Sequence, residues 1–245
     1  MQLFENNWAL VVPMANEEPD FAPLVEGVTV VLDKLKSGMV YFVVDKVSKD
    51  ATLELCQAAS AKDPRFITIW APENRNIADA YLRGLREAWQ RGHRLIIEMD
   101  GGMSHDPNAI PMFLRVLNEG NECALGSRYI NGGSNIDSPL KRRFISKFGS
   151  VLARVFLGAR LKDMTSGYQG YHADIVEKLL ITPILSTAHF YQTELRYLLR
   201  NRRIMEVPIH YRAPSPRVSQ KAISNSLKVL GIYFLKRVTF SAPEI

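Results

Sequence analysis

At 245 residues the chain is long enough for one large α/β domain or two small ones, with a substantial core. Hydrophobic residues make up 47 % and charged residues 23 %, a balance that excludes a disordered chain. The net charge of +6 suits an anionic partner, a nucleotide or a membrane surface; the basic residues carry too little aromatic interleaving for nucleic acid.

In chain order, short apolar runs alternate with longer amphipathic ones. WALVVP (8–13) predicts a strand and 17–36 a helix; MVYFVVD (39–45) a second strand, with helical spacing over 50–62. FITIW (66–70) and RLIIEMD (94–100) predict the third and fourth strands, separated by a helix over 75–91. Asp106-Pro107 opens the next helix (106–119) as an N-cap followed by proline at the first helical position. CALGSRY (123–129) is the fifth strand. Such alternation implies parallel pairing with right-handed crossovers, hence a Rossmann-like layered sheet with ligands beyond the carboxyl ends of its strands. Those ends carry Pro13 to Glu17, Asp45 and Asp100. No G-x-G-x-x-G follows the first strand, and no phosphate-cradling P-loop sequence is present.

The second half changes character. From Ser138 to Lys162 there are seven basic residues and no acid, because Lys141, Arg142, Arg143, Lys147, Arg154, Arg160 and Lys162 are unbalanced. A helix predicted over 140–158 sets Leu140, Phe144, Phe148, Leu152 and Phe156 on one face. That face suits either core packing or a surface facing anionic lipid, and the stretch 222–238, with Leu227, Leu230, Phe234 and Val238, leaves the same choice. No apolar run reaches the roughly 18 residues of a membrane span, and MQLFENNW lacks a signal-peptide pattern. Cys56 and Cys123 are read as reduced core residues, in keeping with the cytoplasm.

Taken in order, the motifs resemble glycosyltransferase family 2, and within it the dolichol-phosphate mannose synthase branch. VVPMANEE resembles V-x-P-x-x-N-E, FVVDKVSKDAT resembles V-V-D-D-G-S-x-D-G-T, and NRNIADAYLRGLREA resembles N-x-G-x-x-x-A-x-x-x-G. IIEMDGGMSHDP resembles Q-M-D-A-D-L-S-H-D-P; LGSRY, KDMTSGYQGY and FYQTEL…EVPI are similar to G-S-R-Y, D-x-T-S-G-F-R-x-Y and F-Q-x-E…E-V-P-I. The resemblance covers about residues 8–220. It implies a GT-A fold: a Rossmann-like, mostly parallel sheet flanked by helices. It further implies a transferase domain over 1–212, with a nucleotide-sugar half to about 130 and an acceptor half beyond it, and a basic amphipathic segment over 213–245.

By the same resemblance Pro13, Asn16 and Glu17 line the nucleoside pocket, Asp45 hydrogen-bonds base or ribose with Lys46 beside it, and Asp100 takes the metal–diphosphate position. Asp100 and Arg128 are the implied catalytic residues. The turn Thr165-Ser166-Gly167 faces sugar and acceptor, with Gln192, Glu194, Arg142, Arg143, Arg212, Arg217 and Ser219 on the acceptor side. Against this, an Asp that ends a buried strand is commonly a turn former, and Arg128 could be an ordinary ion pair. His105 is expected to hydrogen-bond locally beside Asp106, and His189 and His210 to pack.

Three departures matter. The family's D-x-D reads Asp100-Gly101-Gly102, V-D-D reads Asp45-Lys46, and Gln220 stands where a lysine is expected. A divalent cation, Mg2+ or Mn2+, is still implied, since such ions take much of their coordination from substrate phosphates. Whether Ser104, His105, Asp106 or water fills the missing carboxylate's place is open. The implied function is transfer of a hexose, mannose foremost, from GDP-mannose or UDP-glucose to a polyprenyl phosphate at a membrane surface, with or without a membrane partner subunit. Transfer to a soluble or polysaccharide acceptor, and a non-catalytic nucleotide-sugar-binding protein, are the alternatives.

Overall fold

The computed structural model describes residues 7–135, 140–212, 220–241 and 243–245. The chain runs β1 (Trp8–Met14), α1 (Glu18–Lys34), β2 (Gly38–Val44), α2 (Thr52–Lys62), β3 (Phe66–Trp70), α3 (Ile77–Gln90) and β4 (Leu95–Glu98). A 3-10 turn (Pro107–Ala109) leads into α4 (Ile110–Asn118), followed by β5 (Cys123–Ser127) and α5 (Leu140–Leu157). The remainder is β6 (Gln169–His172), α6 (Ala173–Ile181), α7 (Phe190–Leu198), β7 (Ile204–Pro208) and α8 (Gln220–Val238).

The strands form one seven-stranded sheet in the order β3-β2-β1-β4-β6-β5-β7. All neighbours pair in parallel except β6, which runs antiparallel between β4 and β5. Side chains alternate across the pleat. Trp8, Leu10, Val12 and Met14 of β1 join the layer containing Phe21, Leu24, Phe113 and Leu114 of α1 and α4. Ala9 and Val11 join the opposite layer with Tyr81 and Leu85 of α3 and Tyr191 and Leu195 of α7. Burial on both faces explains why these strands read as continuous apolar runs. Cys56 and Cys123 are free and buried, as expected.

The predicted strands end earlier than expected at two places that matter. β4 stops at Glu98 and β5 at Ser127, so Asp100 and Arg128 stand in the turns beyond. Pro13, which has no N–H to donate, is tolerated inside the central strand β1 because the ladder with β4 ends at Val11↔Glu98. The strands β6 and β7 and the helices α6 and α7 lie outside the elements predicted from the spacing of apolar residues.

Helix α5 resolves the choice left open for its apolar face. Leu140 is 78 %, Phe144 74 % and Phe148 58 % exposed, while Ala153 and Leu157 pack against Tyr197, Leu198, Val229 and Tyr233. The helix thus turns Phe144 and Phe148 outward, while Leu152 packs on the cluster with α7 and α8 and Phe156 meets Phe234 of α8 at 5.1 Å. On α8, Leu230 is buried, whereas Ile223, Leu227, Leu235 and Val238 are exposed. Among the described residues no helix is long and apolar enough to cross a membrane.

Candidate active site

Because β6 is reversed, its first residue Gln169 pairs with Glu98, the last residue of β4. The turn entering β6 therefore lies on the same rim as the exits of β1, β2 and β4. There the structure brings Glu17, Asp100, Gly101-Gly102, Gly167 and Gln192 together. A Cβ on Gly102 would stand 3.0 Å from Oε2 of Glu17, and one on Gly167 3.0 Å from Oδ1 of Asp100 and 3.2 Å from Nε2 of Gln192. A side chain at either position would press on these carboxylate and amide groups by a few tenths of an ångström. Asn16 (φ 60°) and Met103 (φ 52°) hold left-handed backbone on either side, a strain typical of ligand sites.

Asp100 is anchored by two side chains. The Tyr81 hydroxyl donates to Oδ1 in a short hydrogen bond, and Nε2 of the buried His105 lies 3.3 Å from Oδ2. Burial pulls the carboxyl's pKa upward, but the His105 imidazole and the Tyr81 hydroxyl outweigh it and hold the pKa near 2. His105 thus takes Asp100 rather than Asp106 as its partner. Asp106 caps the 3-10 turn through the N–H of Asn108 at 3.0 Å and pairs with Arg212. Underneath, the fully buried Glu98 accepts from Gln169 (2.8 Å), Tyr171 (3.2 Å) and Tyr191 (3.3 Å), and Tyr191 stacks on Tyr81. Burial outweighs these donors and pushes the Glu98 pKa up to about 8. A hydrogen-bonded platform of tyrosines therefore supports Asp100 from below.

Opposite Asp100, Glu17 is half-buried at the N-cap of α1, its own N–H donating to Thr52 Oγ1 at 2.9 Å. Its pKa is pushed up to about 7, first by burial and then by Asp20, Asp100 and Asp50. Asn16 turns the other way: its Oδ1 accepts from Lys49 N (2.9 Å) and its Nδ2 donates to Val47 O (3.3 Å), bracing the loop after β2. Asp45 accepts from Val47 N at 2.8 Å in an Asx turn, with Lys46 exposed beside it. Asp50, which sequence reasoning passed over, receives Glu18 N and Thr52 N at 3.1 Å each and so ties α1 to α2.

Several expected roles need correction. Arg128 is not a free cation: Nε and Nη2 donate to Asp163 at 2.7 and 2.9 Å, and Nη2 to Thr165 Oγ1 at 2.6 Å. Burial alone would raise the Asp163 carboxyl, but the Arg128 charge holds it well below the usual range. The pair is a buried brace for the 163–167 turn, joined by Arg196, whose guanidinium donates to the carbonyls of Asp163, Gly126 and Ser166. Ser166 Oγ accepts from Tyr168 N at 3.3 Å, inside the turn. Glu194 points inward, accepting from Leu185 N and Ser186 N at 2.8 Å each and from the Tyr233 hydroxyl at 2.6 Å, and so fastens α7 to α8. His189 is exposed and close enough to Asp100 to lower its pKa, and His210 bonds Ser134 at 2.7 Å, so neither is a packing residue. Arg143 is half-buried on α5 and electrostatically coupled to Tyr129. The side chain of Arg142, and Arg217 and Ser219, lie outside the described residues.

The donor set suits a hard divalent cation in one way only. Among the described residues no three His, Cys, Asp or Glu side chains converge as a cage. Asp100 with the Glu17 carboxylate in the space beside Gly102 gives one or two oxygen donors, which is what Mg2+ or Mn2+ takes from protein when phosphates complete the shell.

This fold, with acids and glycine turns on its carboxyl rim, defines the GT-A class of glycosyltransferases. The chain belongs to glycosyl transferase family 2, whose family model matches residues 9–180. It is 29 % identical over 206 residues to the undecaprenyl-phosphate mannosyltransferase of Micrococcus luteus, covering 82 % of each chain. It is 31 % identical over 186 residues to the polyprenol monophosphomannose synthase of Mycolicibacterium smegmatis, covering 75 % of this chain and 70 % of that one. Glucosyl-3-phosphoglycerate synthase of Mycobacterium tuberculosis, solved with Mn2+, UDP and phosphoglyceric acid, superposes with a TM-score of 0.69 at 16 % identity, over 98 % of this chain and 80 % of that one. That likeness is one of fold.

Proposed function

We propose that the protein transfers mannose from a nucleotide sugar, GDP-mannose foremost, to a polyprenyl phosphate at the cytoplasmic face of a membrane. The observation that carries this reading is the pair of relatives at 29 % and 31 % identity, each named for mannose transfer to a polyprenyl phosphate. The outward face of α5, with Phe144 and Phe148 exposed and Arg143, Lys147 and Arg154 along the same helix, supports a lipid acceptor. A membrane partner subunit would be an additional anchor against that face.

On this reading the acceptor phosphate is already an anionic nucleophile, so positioning dominates over general-base help. Asp100, with Glu17 opposite, would hold the divalent cation, which supplies positive charge against the donor diphosphate. Tyr81 and His105 orient Asp100. Pro13, Asp45 and the exposed Lys46 lie on the nucleoside side, where Lys46 adds positive charge. Gly167 allows the acceptor-side turn to reach Asp100, and Arg128 acts on it as a positioning residue through Asp163 and Thr165. Inversion at the sugar carbon follows the family pattern.

The test is a panel of nucleotide sugars, each with and without Mn2+, assayed for binding and for transfer to polyprenyl phosphate in vesicles. Mannosyl transfer from GDP-mannose is the expected result. Transfer only to a soluble acceptor, or tight nucleotide binding with no transfer to any acceptor, would overturn the proposal.

A further inference from the structure

We propose that Glu17 serves as the second carboxylate of the diphosphate site, acting across the chain where Gly102 offers no side chain. This rests on the reading of the rim as a site for a nucleotide sugar and a divalent cation.

The first observation is steric. A Cβ on Gly102 would meet Oε2 of Glu17 at 3.0 Å, Oε1 at 3.4 Å and Cδ at 3.5 Å, so a carboxylate already fills the space into which a side chain at 102 would grow. The neighbouring Gly101 is equally confined: its Cβ would meet Sδ of Met14 at 2.6 Å and the Pro13 carbonyl at 3.1 Å. The turn after β4 is therefore packed onto the end of β1. The Glu17 carboxylate thus stands where a side chain at 102 would project.

The second observation is what the Glu17 side chain leaves undone. A residue at an N-cap ordinarily turns its side chain back onto the N–H groups of its own helix. Glu17 makes no side-chain cap, and among the described residues no hydrogen bond or ion pair reaches its carboxylate. Its backbone is fixed all the same, by Thr52 on one side and by the Asp20 N–H donating to its carbonyl at 3.1 Å on the other. The carboxylate is thus held on a rigid backbone, without a protein donor among the described residues, across Gly101-Gly102 and within electrostatic reach of Asp100.

Third, Asp100 itself is preorganised. Tyr81 engages Oδ1 and His105 approaches Oδ2, fixing the carboxylate plane from below while part of the group stays open to solvent. One oriented carboxylate and one unpartnered carboxylate on facing segments match the demand of Mg2+ or Mn2+ for few protein oxygens, the remainder coming from phosphates and water.

Mn2+ binding, followed by the electron paramagnetic resonance of the free ion with GDP or UDP present, tests this without any transfer reaction. Glu17→Gln is expected to weaken Mn2+ binding by about tenfold or more at saturating nucleotide. Glu17→Ala/Gly102→Asp, which vacates the space beside residue 102 and restores a carboxylate there, is expected to recover Mn2+ affinity. Unchanged Mn2+ affinity in Glu17→Gln overturns the proposal, as does a wild-type protein that binds nucleotide but no Mn2+. Absence of nucleotide binding altogether removes the donor reading as well, so the two failures are distinguishable. Recovery in the double variant separates loss of a ligand from a folding defect.

Discussion

Gly167 lies against Asp100 so closely that a methyl group on it would stand 3.0 Å from one carboxylate oxygen and 3.3 Å from the other. The turn that enters β6 and the turn that leaves β4 thus share one surface. Gly167→Ala is expected to displace Asp100 or Gln192 and to lower kcat/KM for transfer by about tenfold to hundredfold, the scale of a misplacement near 1 Å. The accompanying loss of stability should be about 1–3 kcal/mol, the usual range for overpacking. Steady-state kinetics beside denaturant unfolding would check both, and an alanine variant with unaltered kcat/KM would rule out the contact's importance.

Arg128 and Asp163 should behave as a buried pair. Removing either partner alone, by Arg128→Gln or Asp163→Asn, leaves a charge uncompensated and should cost about 3–5 kcal/mol. The double replacement should cost less than the sum of the singles. Urea unfolding of the four proteins gives the coupling directly. Additive singles would show that the guanidinium has work elsewhere, such as at a substrate.

These two relationships show where the sequence was legible. Asp45, Asp100 and the Asn16-Glu17 pair were found because each follows an apolar run, and parallel strands deliver their carboxyl ends to one rim. Arg128 also follows a strand, but its partner Asp163 sits beyond an entire helix, and no local pattern announces an ion pair at that separation. The partners of Glu194 are hidden for a similar reason, since its donors come from the turn at 185–186 and from Tyr233 on α8. Periodicity identified α5 and its apolar stripe, yet it carries no information on which side is covered. β6 (QGYH) is four residues long and not strongly apolar, so nothing in it signals a strand.

His93 should weaken the fold as pH falls. Its Nε2 lies 2.6 Å from the Tyr41 hydroxyl in a buried setting, and burial, followed by Arg91, lowers its pKa to about 4 from 6.5. Between these values the unfolded chain binds a proton that the folded one refuses. The His93 contribution is therefore complete above pH 6.5, falls by up to ~1.4 kcal/mol per pH unit below it and levels off near pH 4, while the raised carboxyls of Glu17 and Glu98 contribute with the opposite sign. His93→Gln should remove the His93 contribution and change the slope accordingly. Unfolding free energies measured from pH 7.5 to 4.5 would reveal the change, and identical slopes would refute it.

The exposed phenylalanines of α5 predict a selective loss. Phe144→Ser/Phe148→Ser removes two side chains that are already in water, so the melting temperature should hardly move. Each phenylalanine buried in an apolar phase is worth about 1.5–3 kcal/mol, so sedimentation with anionic vesicles should fall by at least about tenfold. Equal sedimentation of wild type and variant would mean that another surface, or a partner, holds the protein to lipid.

The reversed strand β6 has a further consequence for how the chain can be divided. It is inserted between β4 and β5, so sequence from beyond residue 160 fills the middle of a sheet whose other central strands come from the first 130 residues. A fragment ending near 130 would keep every carboxylate of the donor rim and yet expose three unpaired strand borders, one on β4 and both of β5, as templates for self-association. Donor recognition therefore cannot be cut out as a portable module, and an insertion or a genetic split is better placed in the surface turn after α6 than between the apparent halves.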